Sequence, residues 1–157
     1  MTDLKAVNPN YSNGINYQEN CGYCTIAYEL RRRGLDVEAN PKRGLYVSEW
    51  ESMFDGFKSH GVKSKRKDSV VSELTYRISC WGEGARGSIF VEWERSTLGH
   101  FFSAEVYNGK VMFIDSQNGK IDATDYFKHA KISSIRYGRF DNLALTDNIS
   151  KACKNRG

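Results

Sequence analysis

The period of the hydrophobic pattern changes near Gly87 and divides the chain into a helical part and a strand-rich part. Three earlier segments repeat apolar residues at helical spacing: 21–33, 47–57 and 69–81. Four later segments show the alternation or the short apolar runs of strands: 88–94, 100–107, 110–115 and 131–140. Helices that precede an antiparallel sheet indicate the α+β class, with N-terminal helices packed on a small antiparallel sheet.

Local signals mark where these elements begin and end. Asn20 is a suitable N-cap for the first helix and Gly34 a suitable stop, and we interpret Arg31–Arg33 as cations that favour a helix C-terminus. Asn108-Gly109 is a strong hairpin signal between two strands. A two-residue turn there pairs Tyr107 with Lys110 and fixes the register of the whole hairpin.

The chain of 157 residues is predicted to be one domain over 1–157. Its content of 39% hydrophobic and 27% charged residues is enough for a real core. We expect an extended lead-in over 1–17, an ordered core over about 7–143, a loop over 35–45, a short helix over 122–128, and a polar, loosely held tail from 141.

The net charge of +4 is too mild to indicate a nucleic-acid partner, and we interpret the basic run 63–67 as a solvated loop. The chain has no apolar run of about 18 residues and no export signal, so we expect no membrane contact. A reducing, cytoplasmic location is expected, including the cytoplasm of a target cell after delivery within a larger toxin or phage protein.

The four cysteines, Cys21, Cys24, Cys80 and Cys153, do not have the spacing of a metal site. Only the first two form a pair, and none of the three histidines has a partner three to five residues away. We therefore expect no metal and no cofactor. The remaining interpretation is a reactive thiol at Cys21–Cys24, with Cys80 buried, Cys153 in the tail, and His60 and His129 on the surface.

Three features could combine into a nucleophilic site. Cysteine stands in the first turn of a helix, where the helix N-terminus stabilises a thiolate. His100 begins a strand, and the hairpin register places Asp115 opposite Phe102, two residues along the strand from His100 and on the same face. A carboxylate beside an imidazole orients it to take a thiol proton. The pattern predicts a triad of cysteine, His100 and Asp115.

Several of these segments resemble the papain-fold toxin family, whose domains occur in bacterial polymorphic toxins, effectors and phage head proteins. The specific motifs are Asn20-Cys21 with Cys24 three residues on, Gly99-His100, and the run from Asp115 through Gln117 to Gly119. The resemblance covers about 7–143. It implies a papain-like fold, a Cys-His-Asp triad, and protein glutamine deamidation as the reaction of characterised relatives.

Two cysteines remain candidates for the nucleophile. The Asn-Cys pair of the family favours Cys21, whereas Gln18 with Cys24 resembles the local signature of papain, in which a glutamine six residues earlier helps to bind the oxyanion. The sequence departs from that signature at Thr25 and in placing His100 only 76 residues after Cys24. We favour Cys21, with Cys24 packed beneath it. Backbone N–H groups of the helix start, together with Gln18 or Asn20, are the expected oxyanion donors, and Gln117 is expected to orient the histidine or line the substrate site.

The function expected from the sequence is a thiol-dependent amide hydrolase of the toxin or effector type. Deamidation of a glutamine in a target protein is the first interpretation, cleavage of a peptide bond by a papain-like protease is the second, and a non-catalytic binding module of a phage or toxin assembly is the third. The expected partner is a protein substrate, and the family resemblance implies an immunity protein that covers the site.

Overall fold

The computed structural model describes residues 4–156. Its four α-helices are α1 (Leu4–Val7), α2 (Cys21–Arg32), α3 (Val47–Glu51) and α4 (Lys67–Ser79). Its strands are β1 (Val37–Ala39), β2 (His60–Gly61), β3 (Arg86–Glu92), β4 (Gly99–Tyr107), β5 (Lys110–Ile114), β6 (Arg136–Arg139) and β7 (Cys153–Asn155). Short 3₁₀ helices lie at 11–13, 15–17, 124–129, 132–134 and 147–151. The α+β class is confirmed.

An antiparallel sheet of five strands, in the order β2-β6-β3-β4-β5, forms the centre of the fold. The register predicted for the β4–β5 hairpin is confirmed, because Tyr107 pairs with Lys110 and Ser103 with Ile114. Asn108 and Gly109 both have positive φ, at 51° and 75°, as a type I′ turn requires. The turn chemistry thus sets which residues of the hairpin share a face.

The two faces of this sheet are covered by different helices. Alternate side chains of β4 point to opposite faces of the sheet and belong to different cores. Phe101 packs in the core that contains the buried residues of α2, and Phe102 packs in the core that contains those of α4. The apolar side chains of α4 predicted to face inward are buried, namely Val70, Leu74 and Ile78. Helix α2 is thereby fixed on one face of the sheet, with its first residue near the start of β4.

Two buried carboxylates tie α2 to the sheet. Glu29, which is fully buried, binds Arg33 at 2.7 Å and Arg86 of β3 at 2.5 Å. Glu105 of β4 accepts hydrogen bonds from Arg32 and from the Tyr28 hydroxyl, the latter at 2.8 Å. The interpretation of the arginine run as helix-end cations alone was therefore incomplete, because Arg32 and Arg33 neutralise acidic groups that the sheet contributes or covers.

Both ends of the described chain depart from the predictions. Leu4 and Val7 are buried on a short helix, where the sequence predicts an extended lead-in; residues 1–3 of that segment lie outside the described residues. The polar tail is not loosely held, since β7 pairs with β1 inside the segment predicted as a loop, and Ala152 is fully buried. These strands have three residues each, too few to show a period in the sequence.

The remaining differences concern lengths and two cysteines. The helix expected over 47–57 ends at Glu51, the one expected over 122–128 is a 3₁₀ helix, and the strand expected over 131–140 is reduced to β6. Cys80 is exposed although the sequence predicts burial, and Cys153 packs against the core. His60 and His129 are exposed, as predicted. Within residues 4–156, no helix has the length and apolar character needed to cross a membrane.

Candidate active site

A cleft of about 610 Å³ opens at the N-terminus of α2. Cys21, the first residue of that helix, lines the cleft together with His100 and Asp115 from the sheet. The thiol of Cys21 accepts a hydrogen bond from the backbone N–H of Phe101, with N and Sγ 3.5 Å apart. The structure thus brings together the three residues that the sequence analysis selected for nucleophilic chemistry.

His100 stands between the other two groups. Its Nε2 lies 2.8 Å from Oδ2 of Asp115, and Cys21 lies close enough to the imidazole to help raise its pKa. Because Nε2 is occupied by the carboxylate, Nδ1 is the nitrogen available to Cys21. Trp93 stacks on the imidazole at a centroid distance of 5.8 Å. The ring is therefore held by the carboxylate at Nε2 and by Trp93 on one face.

Asp115 lies one residue beyond the end of β5 and is 1% exposed. Its Oδ1 accepts the backbone N–H of Gln117 at 3.0 Å, and its Oδ2 accepts the hydroxyl of Tyr126 at 2.6 Å as well as His100. The hairpin register explains why this carboxylate reaches His100, which is its diagonal neighbour across the sheet.

Electrostatics in the cleft favour a charged imidazolium opposite a carboxylate. Burial disfavours the charged ring, but the hydrogen bonds and charges of Asp115 and Cys21 outweigh it and raise the pKa of His100 to about 10. Burial likewise opposes the ionised form of Asp115, yet its bonds to His100, Tyr126 and the Gln117 backbone lower the pKa of this carboxyl. The pair is thus suited to hold a proton at His100.

The other predicted site residues form the floor and rim of the cleft. Gln117 is buried and its side-chain amide lies 3.4 Å from Oδ1 of Asn20. Gln18 is exposed on the rim and donates to the carbonyl of Tyr11 at 3.2 Å. Gln18 and Gln117 both line the same cleft as Cys21.

Asn20 occupies the N-cap position of α2, as predicted, but its side chain does not cap the helix. Its Nδ2 donates instead to Asn8 Oδ1 at 3.2 Å and to the carbonyl of Asn40 at 3.1 Å. Both protons of this amide are thereby directed into the protein, away from Cys21. The first N–H groups of α2 consequently receive no capping bond from Asn20.

Cys24 is placed differently from Cys21. It is fully buried in the core under α2, and burial raises its pKa well above the ordinary value for a thiol. It does not line the cleft at Cys21. Cys21 packs against the core cluster that contains Cys24.

Three residues near the site were missed by the sequence analysis. Tyr126 contacts both Asp115 and the edge of the His100 ring, Trp93 stacks on that ring, and Asn8 joins the amide cluster with Asn20. Tyr126 lies on a 3₁₀ helix within the segment predicted as a short helix, and Asn8 just after a four-residue helix, and neither local pattern indicates a contact with a distant residue. The described part of the chain brings no three His, Cys, Asp or Glu side chains together as metal ligands.

Comparison with known families identifies a match over residues 19–120 to the family described as papain fold toxin 1, glutamine deamidase. No match was found among curated protein sequences. Among solved structures, the chain is similar to the Salmonella effector SpvD in its R161 variant, with a TM-score of 0.53 and 16% identity over 84% of this chain and 77% of that one. At this identity the likeness concerns the fold alone, and with the family match it confirms the papain-like fold.

Proposed function

The chain belongs to the papain fold toxin 1, glutamine deamidase family, and we propose that it converts a glutamine of a target protein to glutamate, with Cys21 as nucleophile. The observation that carries this proposal is the hydrogen bond between His100 and Asp115 in the cleft that Cys21 also lines. A thiol, an imidazole and a carboxylate gathered in this way are the groups that thiol-dependent amide hydrolysis requires.

The proposed first half of the reaction is acylation. The Cys21 thiol gives its proton to His100, the resulting thiolate attacks the carbon of the glutamine carboxamide, and the carbonyl oxygen takes up negative charge. His100 gives its proton to the amide nitrogen, the C–N bond breaks, and ammonia leaves a thioester on Cys21. Asp115 stays ionised throughout and stabilises the imidazolium, in keeping with the lowered pKa of its carboxyl.

The second half is hydrolysis of the thioester. His100, now neutral, takes a proton from a water molecule, whose oxygen attacks the thioester carbon. The C–S bond breaks, the sulfur leaves as a thiolate paired with the imidazolium, and the product is glutamate. One water is consumed and one ammonia released for each glutamine.

Stabilisation of the oxyanion is assigned to the start of α2. The helix N-terminus offers backbone N–H groups at Cys21 and Gly22 that the Asn20 side chain does not cap. Gln18 lines the same cleft and has a side-chain N–H to contribute. We give Asn20 a positioning role instead of the oxyanion role expected from the sequence, because its donors bind Asn8 and Asn40. Gln117 orients Asp115 through its backbone N–H.

Cys21 is preferred over Cys24 because Cys21 lines the same cleft as His100 and contributes to the raised pKa of that histidine. Cys24 is fully buried in the apolar core, and its raised pKa disfavours the thiolate. Cleavage of a peptide bond uses the same groups and is the second candidate function. The family description favours deamidation. The partner we propose is a protein target inside the cell that receives the domain.

The experiment that tests this proposal compares proteins from cells that express the wild-type domain with proteins from cells that express Cys21→Ala. Peptide mapping is expected to find a glutamine-to-glutamate change of about one dalton in one or a few proteins, present with the wild type only. New peptide termini without such a change would favour the protease instead. A target that is retained equally by both forms, without chemical change, would favour the binding module.

A further inference from the structure

A second cleft of about 300 Å³ adjoins the cleft of Cys21. The two share a wall, since Val47, Phe90 and Phe101 line both. This shared wall lies next to Cys21, because the backbone N–H of Phe101, one of its residues, donates to the Cys21 sulfur. A substrate residue close to the reacting glutamine would therefore reach the second cleft.

The second cleft has aromatic walls. Trp50 stacks on Phe101 at a centroid distance of 5.2 Å, Phe90 packs on Phe101 at 4.9 Å, and Phe57 meets Trp50 edge-on at 4.9 Å. All four rings line the cleft. Walls of this kind favour an occupant that is itself aromatic and uncharged.

Ser88 adds a polar group to this apolar space. It lies on the same face of β3 as Phe90, is 4% exposed and lines the cleft. Its hydroxyl makes no hydrogen bond within residues 4–156 and is not among the polar atoms there that are both buried and unpartnered, so its oxygen opens on the cleft. An occupant that brings a hydrogen-bonding group to this oxygen gains a hydrogen bond between the aromatic walls.

Charge at the cleft argues against a charged occupant. Arg136 lines it and donates to the Ser59 carbonyl at 2.9 Å, while within the described residues no carboxylate pairs with it. Glu51 lines the same cleft. The lining thus carries one charge of each sign and favours neither an acidic nor a basic side chain, and an uncharged occupant avoids the cost of desolvating a charge against the rings.

We propose that the second cleft is a substrate subsite for a tyrosine side chain of the target protein, within a few residues of the glutamine. The tyrosine ring packs between the aromatic walls and its hydroxyl hydrogen-bonds Ser88. The inference rests on the proposed function in that it takes Cys21 as the point of reaction. It deepens that function by naming which neighbouring residue marks a glutamine for reaction.

The test uses short peptides with one central glutamine in a glycine and alanine background, in which a single tyrosine is moved through each flanking position. Matched peptides carry phenylalanine or alanine there. Two readouts are taken: the rate of the one-dalton mass gain, and protection of Cys21 from iodoacetamide. At one position we expect tyrosine to exceed phenylalanine about 3- to 10-fold, and phenylalanine to exceed alanine about 10-fold.

Variants of Ser88 show whether the preference arises in this cleft. Ser88→Ala is expected to abolish the difference between tyrosine and phenylalanine while it keeps that between phenylalanine and alanine. Ser88→Leu fills the cleft and is expected to abolish both. Ser72→Ala, an exposed serine of α4, is the control and keeps both differences.

Equal protection of Cys21 by tyrosine and alanine peptides at all positions would overturn the subsite. So would a tyrosine preference that is unchanged in both Ser88 variants. Failure of the proposed function is seen separately: a tyrosine-dependent protection that Ser88→Ala reduces, with no mass gain in any peptide, supports the subsite and contradicts deamidation.

Discussion

The hydroxyl of Tyr126 lies 2.6 Å from Oδ2 of Asp115, the oxygen that also binds His100. This tyrosine comes from a 3₁₀ helix outside the two hairpin strands, so it fixes the carboxylate from a second direction. The bond also raises the pKa of Tyr126, after the larger effect of burial, so the phenol remains a donor. Tyr126 is thus a positioning residue that acts on His100 through Asp115.

Removal of this hydroxyl is expected to slow the reaction without weakening substrate binding. In Tyr126→Phe the carboxylate loses a charge-assisted hydrogen bond, which we expect to lower kcat about 10-fold and leave KM unchanged. Steady-state kinetics on a glutamine substrate measure the two constants. Tyr76→Phe, on an exposed part of α4, is the control. A fall confined to thermal stability, with kcat intact, would contradict the positioning role.

If Cys21 is the nucleophile, substitution of Cys21 should remove most of the activity, whereas substitution of Cys24, one helical turn further on, should not. Cys21→Ala is expected to lower kcat by about 10³-fold or more, because no sulfur remains in the cleft. Cys24→Ala removes a buried thiol from the core and is expected to keep most of the activity. Both variants are measured on the same substrate. Activity that survives in Cys21→Ala and is lost in Cys24→Ala would reverse the assignment.

The raised pKa of His100 predicts a pH-dependent contribution to stability. The ordinary histidine pKa is 6.5 and that of His100 in the folded protein is about 10. Because the folded state binds this proton more tightly, the stabilisation is complete below the unfolded value and is lost as pH rises through the folded one. The free energy of unfolding of the wild type should therefore decline between these values.

His100→Gln, which cannot titrate, isolates this contribution from those of the other groups. Urea unfolding of the two proteins over the same pH range gives the difference. We expect the wild type to lose its advantage over the variant as pH rises. A difference that is constant with pH would show that His100 holds no extra proton in the fold.

The buried carboxylate of Glu29 predicts a large stability effect far from the cleft. In Glu29→Gln the guanidinium groups of Arg33 and Arg86 lose their common partner in a site where Glu29 is fully buried. Breaking such a buried pair typically costs about 3–5 kcal/mol. Asp125→Asn, which breaks an exposed pair with Lys128, is expected to have no measurable effect. Denaturant unfolding that finds both variants alike would contradict this assignment.

The elements that local signals specify could be predicted from the sequence. The Asn108-Gly109 turn dictates the hairpin register, and the register brings Asp115 to His100. The helix that begins at Cys21 likewise follows from its apolar spacing. Both depend on residues near each other in the chain, where turn and helix geometry leave few alternatives.

The features that could not be predicted from the sequence depend on contacts between residues that are far apart in the chain. Tyr126 reaches the site from a 3₁₀ helix that follows a loop, and β7 pairs with β1 across more than a hundred residues. Arg32 and Arg33 pair with carboxylates whose burial is known only after the sheet is assembled. Spacing along the chain carries no information about such pairs. The sequence therefore predicts Cys21, His100 and Asp115 as site residues but does not predict Tyr126.

The most direct test of the central claim, that His100 activates Cys21, is the rate at which iodoacetamide modifies each cysteine at about pH 6, where an ordinary thiol is almost entirely protonated. Cys80 is exposed and serves as the internal reference. We predict that peptide mapping finds Cys21 modified well before Cys80 in the wild type, and that His100→Gln removes this preference. Equal or slower modification of Cys21 in the wild type would contradict the account.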